Sequence, residues 1–159
     1  MDLFGKHRIS LDSIRRLAIE CHALDSGAVG LLIDTTVDNT NRVRGIYEEI
    51  FSEKLLSLAI SLRTKFYQEI PSKGTEEYIQ NSAFLLVTDK EEIQLFTIKD
   101  VCDKIIHADS VTRPLDDGTR QPITQIRGIQ KGTPWTLHIS TSLFCEGVLN
   151  WLEALESMQ

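Results

Sequence analysis

The sequence predicts a mainly α (α+β) fold, a helical bundle with a β-hairpin inserted before the C-terminal helix. Two observations predict it. Apolar residues recur at three- and four-residue spacing along several long segments, which is the pattern of amphipathic helices. Residues 135–140 instead alternate between apolar and polar side chains, which is the pattern of a half-buried strand. We therefore expect a single helical domain over 1–159, with the hairpin insertion at about 111–141.

The first two helices follow from apolar spacing. The segment Ser10–Leu24 repeats with helical period, and Asp25-Ser26-Gly27 predicts its end. Residues 28–37 fit either a buried helical turn or a short strand, and the polar segment 34–41 predicts a capping loop. A helix of roughly 40 Å is predicted from about Arg42 to Tyr67. Its broad apolar stripe comprises Val43, Ile46, Tyr47, Ile50, Phe51, Leu55, Leu58, Leu62 and Phe66.

The next segment has two interpretations. Residues 71–74, with a proline and a glycine, predict a turn. Thr75-Glu76-Glu77 then resembles a helix start, with a hydroxyl cap and acidic residues in the first turn. The preferred interpretation continues this helix through Leu86. The alternative is a hairpin in which 84–87 turns back into 93–96.

A further helix begins at Thr97, because Thr97 and Asp100 have capping-box spacing with Asp in place of the usual Glu or Gln. Farther on, 123–130 and 135–140 flank a Gly- and Pro-containing turn and predict a β-hairpin with one half-buried face. The chain closes with a helix from about Leu143 to Glu156. Its predicted inward side chains are Leu143, Phe144, Val148, Leu149, Leu152 and Leu155.

Composition restricts the functional classes. A hydrophobic fraction of 42% and a charged fraction of 25% are ordinary for a soluble globular protein. The net charge of −6 disfavours RNA as a partner, although a local basic patch keeps it possible, and it argues against an anionic membrane. The first residues lack the apolar segment of a secretory signal, and no apolar run is long enough to cross a bilayer. We therefore expect a cytoplasmic protein.

Cysteine and histidine usage points away from metal binding. Cys21, Cys102 and Cys145 each lie among apolar helical positions, which predicts buried reduced thiols. The four histidines are dispersed, and the sequence contains no Cys-x-x-Cys or His-x-x-x-His pair. We expect neither a metal nor a cofactor.

The helix that begins at Thr97 carries the candidate catalytic residues. His107 follows Asp103 by four residues and Lys104 by three, and Lys99 precedes Asp103 by four, so these side chains form one polar strip. A carboxylate near a histidine would orient the ring, and lysines would hold a phosphate. These are the requirements for RNA cleavage by its own 2′-hydroxyl. Taken alone, the strip is better explained as a solvated helix face with intrahelical ion pairs and a C-terminal histidine favoured by the helix dipole.

The stretch Phe96-Thr97-Ile98-Lys99-Asp100-Val101-Cys102-Asp103-Lys104-Ile105-Ile106-His107-Ala108 resembles the motif helix of HEPN-type helical bundles. In that family an Arg, often followed by Asn, precedes a His on the same helix. His107 matches the His, and Asp103 stands where Asn is usual. The Arg has no match, because Cys102 occupies the position before Asp103. Lys99 is the nearest basic residue upstream, and a lysine does not replace the bidentate phosphate contact of an arginine.

The resemblance implies an up-and-down bundle of four or five helices that is frequently dimeric. Many members are metal-independent ribonucleases in toxin–antitoxin or antiviral systems. Because the Arg is absent, we expect a non-catalytic interaction or regulatory module of HEPN-like type, acting as a homodimer or with a protein partner. The alternative is a ribonuclease that uses Lys99, Asp103, Lys104 and His107.

The predicted hairpin supplies a second candidate surface. An exposed hairpin carrying Arg127, Trp135 and His138 would form a partner-binding edge. Packing of the same hairpin on the helices is the preferred interpretation of these residues, and the partner-binding edge is the alternative.

Overall fold

The computed structural model describes residues 10–69, 84–87, 93–115 and 123–157. It confirms a mainly helical architecture with a β-hairpin before the last helix. In chain order the described elements are α1 (Leu11–Leu32), α2 (Asn41–Glu69), β1 (Phe84–Val87), β2 (Ile93–Phe96), α3 (Ile98–Ile106), β3 (Ser110–Thr112), β4 (Thr124–Gln130), β5 (Thr133–Ile139) and α4 (Thr141–Ser157).

The strands form two antiparallel units. β1 pairs with β2, and β3, β4 and β5 form a three-stranded sheet in that order. In the β4–β5 hairpin Gly128 lies opposite Trp135 and Arg127 lies opposite Thr136. Because side chains alternate along a strand, these two pairs point to opposite faces of the sheet.

Helix α1 is longer than predicted. It continues to Leu32, so the end predicted at Asp25-Ser26-Gly27 is wrong, and the ambiguous segment after it begins as helix. The physical reason is that Asp25 is buried and makes tertiary contacts instead of ending the helix. Ser10 caps the N-terminus by accepting from the Asp12 N–H.

Helix α2 matches its prediction and carries apolar side chains on two faces. Tyr47, Phe51, Leu55, Leu58, Leu62 and Phe66 are buried in the core. Ile46 and Ile50, which belong to the same predicted stripe, are exposed. The predicted apolar stripe therefore includes side chains that do not reach the core.

The preferred helix through Leu86 is wrong, and the alternative hairpin is correct. Phe84 pairs with Phe96 and Val87 pairs with Ile93. The predicted turn at 71–74 and the predicted helix start at 75–77 lie outside the described residues.

The capping box of α3 is confirmed. Thr97 Oγ1 accepts from the Asp100 N–H at 3.2 Å, and Asp100 accepts from the Thr97 N–H at 3.1 Å. At the last helix, Ser140 Oγ accepts from the Leu143 N–H at 3.2 Å. Leu143 itself is 63% exposed, so its predicted inward position is wrong, whereas Phe144 and Val148 are buried.

The β4–β5 hairpin is part of the hydrophobic core. Ile126, Leu137 and Ile139 are buried in one cluster with side chains of all four described helices. The three cysteines are also buried, as predicted. The insertion therefore completes the core instead of lying on its surface.

A buried ion pair fastens the sheet to the helices. Arg113, which follows β3, donates from Nε to Asp25 Oδ1 at 2.6 Å and from a guanidinium NH2 group to the Asp25 carbonyl at 3.1 Å. The second carboxylate oxygen of Asp25 accepts from Ser142 Oγ at 2.6 Å and from the Ser142 N–H at 3.1 Å. Asp25 therefore neutralises Arg113 and also satisfies a free N–H in the first turn of α4.

Candidate functional site

A cleft of about 430 Å³ lies where the C-terminal end of α3 meets the turn of the β4–β5 hairpin. Its described lining residues are Asp103, Lys104, His107, Ile129, Gln130, Lys131 and Trp135. The first three come from α3 and its C-terminal cap, and the other four come from the hairpin. We call this feature the cleft.

The indole of Trp135 forms a wall of the cleft and depends on a glycine. Trp135 is buried and lies directly over Gly128, its cross-strand partner. A Cβ atom at position 128 would lie 2.7 Å from Trp135 Cε2 and 3.1 Å from the His107 carbonyl oxygen. Only a residue without a side chain leaves room for this arrangement.

The ammonium group of Lys104 lies over the ring of that indole. Lys104 Nζ lies 4.3 Å from the ring centroid and donates to Gln130 Oε1 at 3.3 Å. Both contacts are to uncharged groups. Partial burial lowers the pKa of Lys104, because desolvation penalises its charged form.

The carboxylate of Asp103 is directed to α2 instead of to a neighbour on its own helix. Arg63 Nε lies 3.5 Å from Asp103 Oδ1, and the Arg63 guanidinium also lies 5.9 Å from the centroid of the Tyr67 ring. Oδ1 is a buried atom that accepts no hydrogen bond in the structure. Arg63 thus supplies the compensating charge of Asp103 without a close hydrogen bond.

His107 caps α3 and lies at the edge of the cleft. Its backbone N–H donates to the Asp103 carbonyl at 3.2 Å, and the residue is exposed. Among the described residues, no carboxylate forms an ion pair or hydrogen bond with its imidazole. On the opposite side, Lys131 occupies the hairpin turn with φ of 50° and is exposed.

The site residues predicted from the sequence lie in different places in the structure. Asp103, Lys104 and His107 line the cleft together with Trp135, whereas Lys99 is not among its described lining residues. Arg127 and His138 lie on the other face of the sheet, where an Arg127 NH2 group donates to Gln125 Oε1 at 2.9 Å. Trp135 therefore shares a surface with the α3 residues and not with these two.

The local sequence pattern does not indicate the contacts that Arg63 makes with Asp103, or the contributions of Gln130 and Lys131 to the cleft. The Lys131-Gly132 turn was recognised, and its position next to α3 follows only from the packing of the hairpin. Arg63 was one basic residue of a helix 40 positions upstream of Asp103, and nothing in the local pattern pairs the two. Long-range contacts assemble this site.

Comparison of the chain with known protein families, curated proteins and solved structures gives no match. The described residues contain no group of three or more His, Cys, Asp or Glu side chains placed to hold a metal ion. Within the same residues, no helix has the length and apolar character needed to cross a membrane.

Proposed function

We propose that the chain is a non-catalytic interaction module of HEPN-like type, working in the cytoplasm as a homodimer that pairs through the outer face of α2. The observation that carries the proposal is a row of large apolar side chains on that face. Each is between 40% and 58% exposed: Ile46, Ile50, Leu56, Ile60 and Tyr67. We call this row the outer α2 face.

The side chains of the outer α2 face share one side of the helix, with the exposed Glu49 and Glu53 among them. At 100° per residue, its side chains fall within an arc of roughly 120° on the side opposite the core. From Ile46 to Tyr67 the row extends about 30 Å along the helix axis. Several large apolar side chains exposed on one side of a helix are typical of an interaction site.

Charge distribution favours a second copy as the occupant. A depression beside the N-terminal half of the face is lined by Glu48, Glu49 and Glu53, and no described basic residue lines it. The C-terminal half carries Arg63, whose guanidinium is partly exposed. In an antiparallel pairing around the middle of α2, the acidic depression of each copy faces Arg63 of the other. A two-fold interface requires this kind of self-complementarity.

The contacts of the α3 residues support the non-catalytic part of the proposal. Asp103 is engaged by Arg63, and Lys104 is engaged by Trp135 and Gln130. A carboxylate that oriented the ring of His107 would have to leave its present partner. The general acid–base arrangement suggested by the helical spacing is therefore not assembled in this conformation.

The molar mass in solution tests the homodimer. We expect size-exclusion chromatography with light scattering to give a dimer, and Ile60→Glu to give a monomer with unchanged helical circular dichroism. Leu143→Glu is the matched control, because Leu143 is equally apolar and exposed but lies on α4. A wild-type monomer at high micromolar concentration, or a dimer that survives Ile60→Glu, would refute the proposal.

The second candidate function is a metal-independent ribonuclease. It is favoured by the presence of Lys104, His107 and Lys131 in one cleft, because these groups could bind a phosphate and transfer a proton. The test is degradation of mixed RNA without added metal. Cleavage abolished by His107→Ala and retained in His138→Ala, on the other face of the sheet, would support the nuclease. No cleavage by the wild type would exclude the ribonuclease and leave the interaction module as the proposed function.

A further inference from the structure

The charge of Lys104 lacks a counterion among the described residues. Its ammonium contacts an aromatic ring and an amide oxygen, and no described carboxylate forms an ion pair with it. The nearest acid along the helix, Asp103, faces Arg63. A partly desolvated cation with only neutral contacts is stabilised when an anion approaches it.

Two further groups could meet the same anion. Lys131 lines the cleft from the hairpin turn, and His107 lines it from the end of α3. The whole chain has a net charge of −6, so this collection of basic groups is not the result of a generally basic surface. Its position in a cleft concentrates the local field on a ligand.

We infer that the cleft binds the phosphate group of a small phosphate monoester through Lys104, Lys131 and His107. Three donors on separate side chains suit a phosphate dianion, which offers three terminal oxygens, better than a singly charged carboxylate. The inference goes beyond the proposed homodimer, because one copy of the chain supplies every described lining residue of the cleft. It requires no cleavage of the ligand.

The rim of the cleft indicates the remainder of the ligand. Ile129 is 62% exposed and is an apolar side chain of the described cleft lining, whereas Trp135 is buried and has the Lys104 ammonium over its ring. Because Trp135 is only 7% exposed, its indole offers little surface on which a ligand could stack. We expect a modest apolar group attached to the phosphate to rest on Ile129.

The indole N–H resonances provide the assay, because the chain has two tryptophans in different places. Trp135 lies in the cleft, and Trp151 is fully buried against Phe66. The protein is titrated with inorganic phosphate, phenyl phosphate, benzoate and phenol at constant ionic strength, since salt screens charge interactions. We expect a saturable shift of the Trp135 resonance with both phosphates, tighter binding of phenyl phosphate, and an unmoved Trp151 resonance.

Matched lysine variants identify the site. Lys104→Gln should weaken phenyl phosphate binding by roughly tenfold to a hundredfold, because a hydrogen bond to a charged group is lost. Lys131→Gln, at an exposed turn, should weaken it several-fold without disturbing the indole wall. Lys99→Gln removes a charge from the same helix outside the described cleft lining and should leave binding unchanged.

Three results would overturn the inference. The first is a shift of Trp135 that never saturates. The second is equal weakening by Lys99→Gln and Lys104→Gln, which would show a general charge effect. The third is benzoate binding as tightly as phenyl phosphate, which would show a preference for carboxylates. None of these results depends on whether the chain is a dimer, so this test and that of the proposed function fail separately.

Discussion

Removal of the Asp25 carboxylate should be among the most damaging single changes in this molecule. In Asp25→Ala the guanidinium of Arg113 stays buried without its counterion, which costs about 3–5 kcal/mol. Ser142 also loses the acceptor for its N–H and hydroxyl in the first turn of α4, which costs about 1 kcal/mol more. The expected loss of unfolding free energy is therefore about 4–6 kcal/mol.

This loss is large compared with the total stability of a typical domain, about 5–15 kcal/mol. It corresponds to a fall in Tm of about 10–20 °C for a chain of this size. Urea unfolding followed by circular dichroism, with a thermal scan beside it, measures both quantities. Asp38→Ala is the control, because Asp38 is an exposed carboxylate of the loop between α1 and α2. It should change stability by less than about 0.5 kcal/mol.

A double variant separates the buried charge from other effects of the substitution. Asp25→Ala with Arg113→Met removes both charges, so only the lost contacts to Ser142 should remain as a cost. We expect the double variant to recover about 2 kcal/mol or more relative to Asp25→Ala alone. The reasoning is refuted if the double variant is no more stable than the single one, or if Asp25→Ala costs no more than Asp38→Ala.

Three further predictions concern the cap, a tyrosine and the hairpin. Thr97→Ala should lower the unfolding free energy by about 1 kcal/mol, because it breaks the capping box. Thr97→Ser keeps the hydroxyl and should retain most of that free energy. Equal stability of the wild type and both variants in urea would contradict the prediction. Burial raises the pKa of Tyr47 to about 12 from 10.0. Because the unfolded tyrosine ionises first, the stability of the wild type relative to Tyr47→Phe should fall by about 2 kcal/mol between pH 10 and 12, and a constant difference would contradict it. Deletion of 111–141 should give insoluble protein, because the core then lacks the buried side chains of Ile126 and Leu137. A soluble helical product in a sedimentation assay would show that the helices fold without the hairpin.

Local signals in the sequence were sufficient where the structure depends on neighbouring residues. The Thr97–Asp100 capping box needs only residues three apart, and the alternation of 135–140 reflects the two faces of a strand. The long helix α2 was also predictable, because its buried residues repeat over many turns.

Local signals failed where a distant residue decides the outcome. Asp25 reads as a helix terminator because aspartate favours turns, yet Arg113, 88 residues away, draws its side chain into the interior. Leu143 reads as a core residue, but the first turn of α4 faces its side chain outward. At 84–87 an apolar run fits either a helix or a strand, and only the pairing with 93–96 decides between them.

In the candidate site, too, local spacing was predictable and contacts with distant residues were not. The spacing of Asp103, Lys104 and His107 correctly placed these residues near one another on a helix. It did not predict that Asp103 pairs with Arg63 or that Lys104 covers Trp135, because the partners come from α2 and β5. Helical spacing gives proximity within one element, whereas the chemistry of the cleft depends on contacts between elements.

The close approach of Trp135 to Gly128 has an evolutionary consequence. Any side chain at position 128 would collide with the indole, so replacement of that glycine becomes acceptable only after the tryptophan has given way to a smaller residue. In descendants and relatives of this chain the two positions should therefore change in a fixed order, with 135 first. Lineages that keep the tryptophan should keep the glycine, and a tyrosine or phenylalanine at 135 would mark the intermediate stage of the exchange.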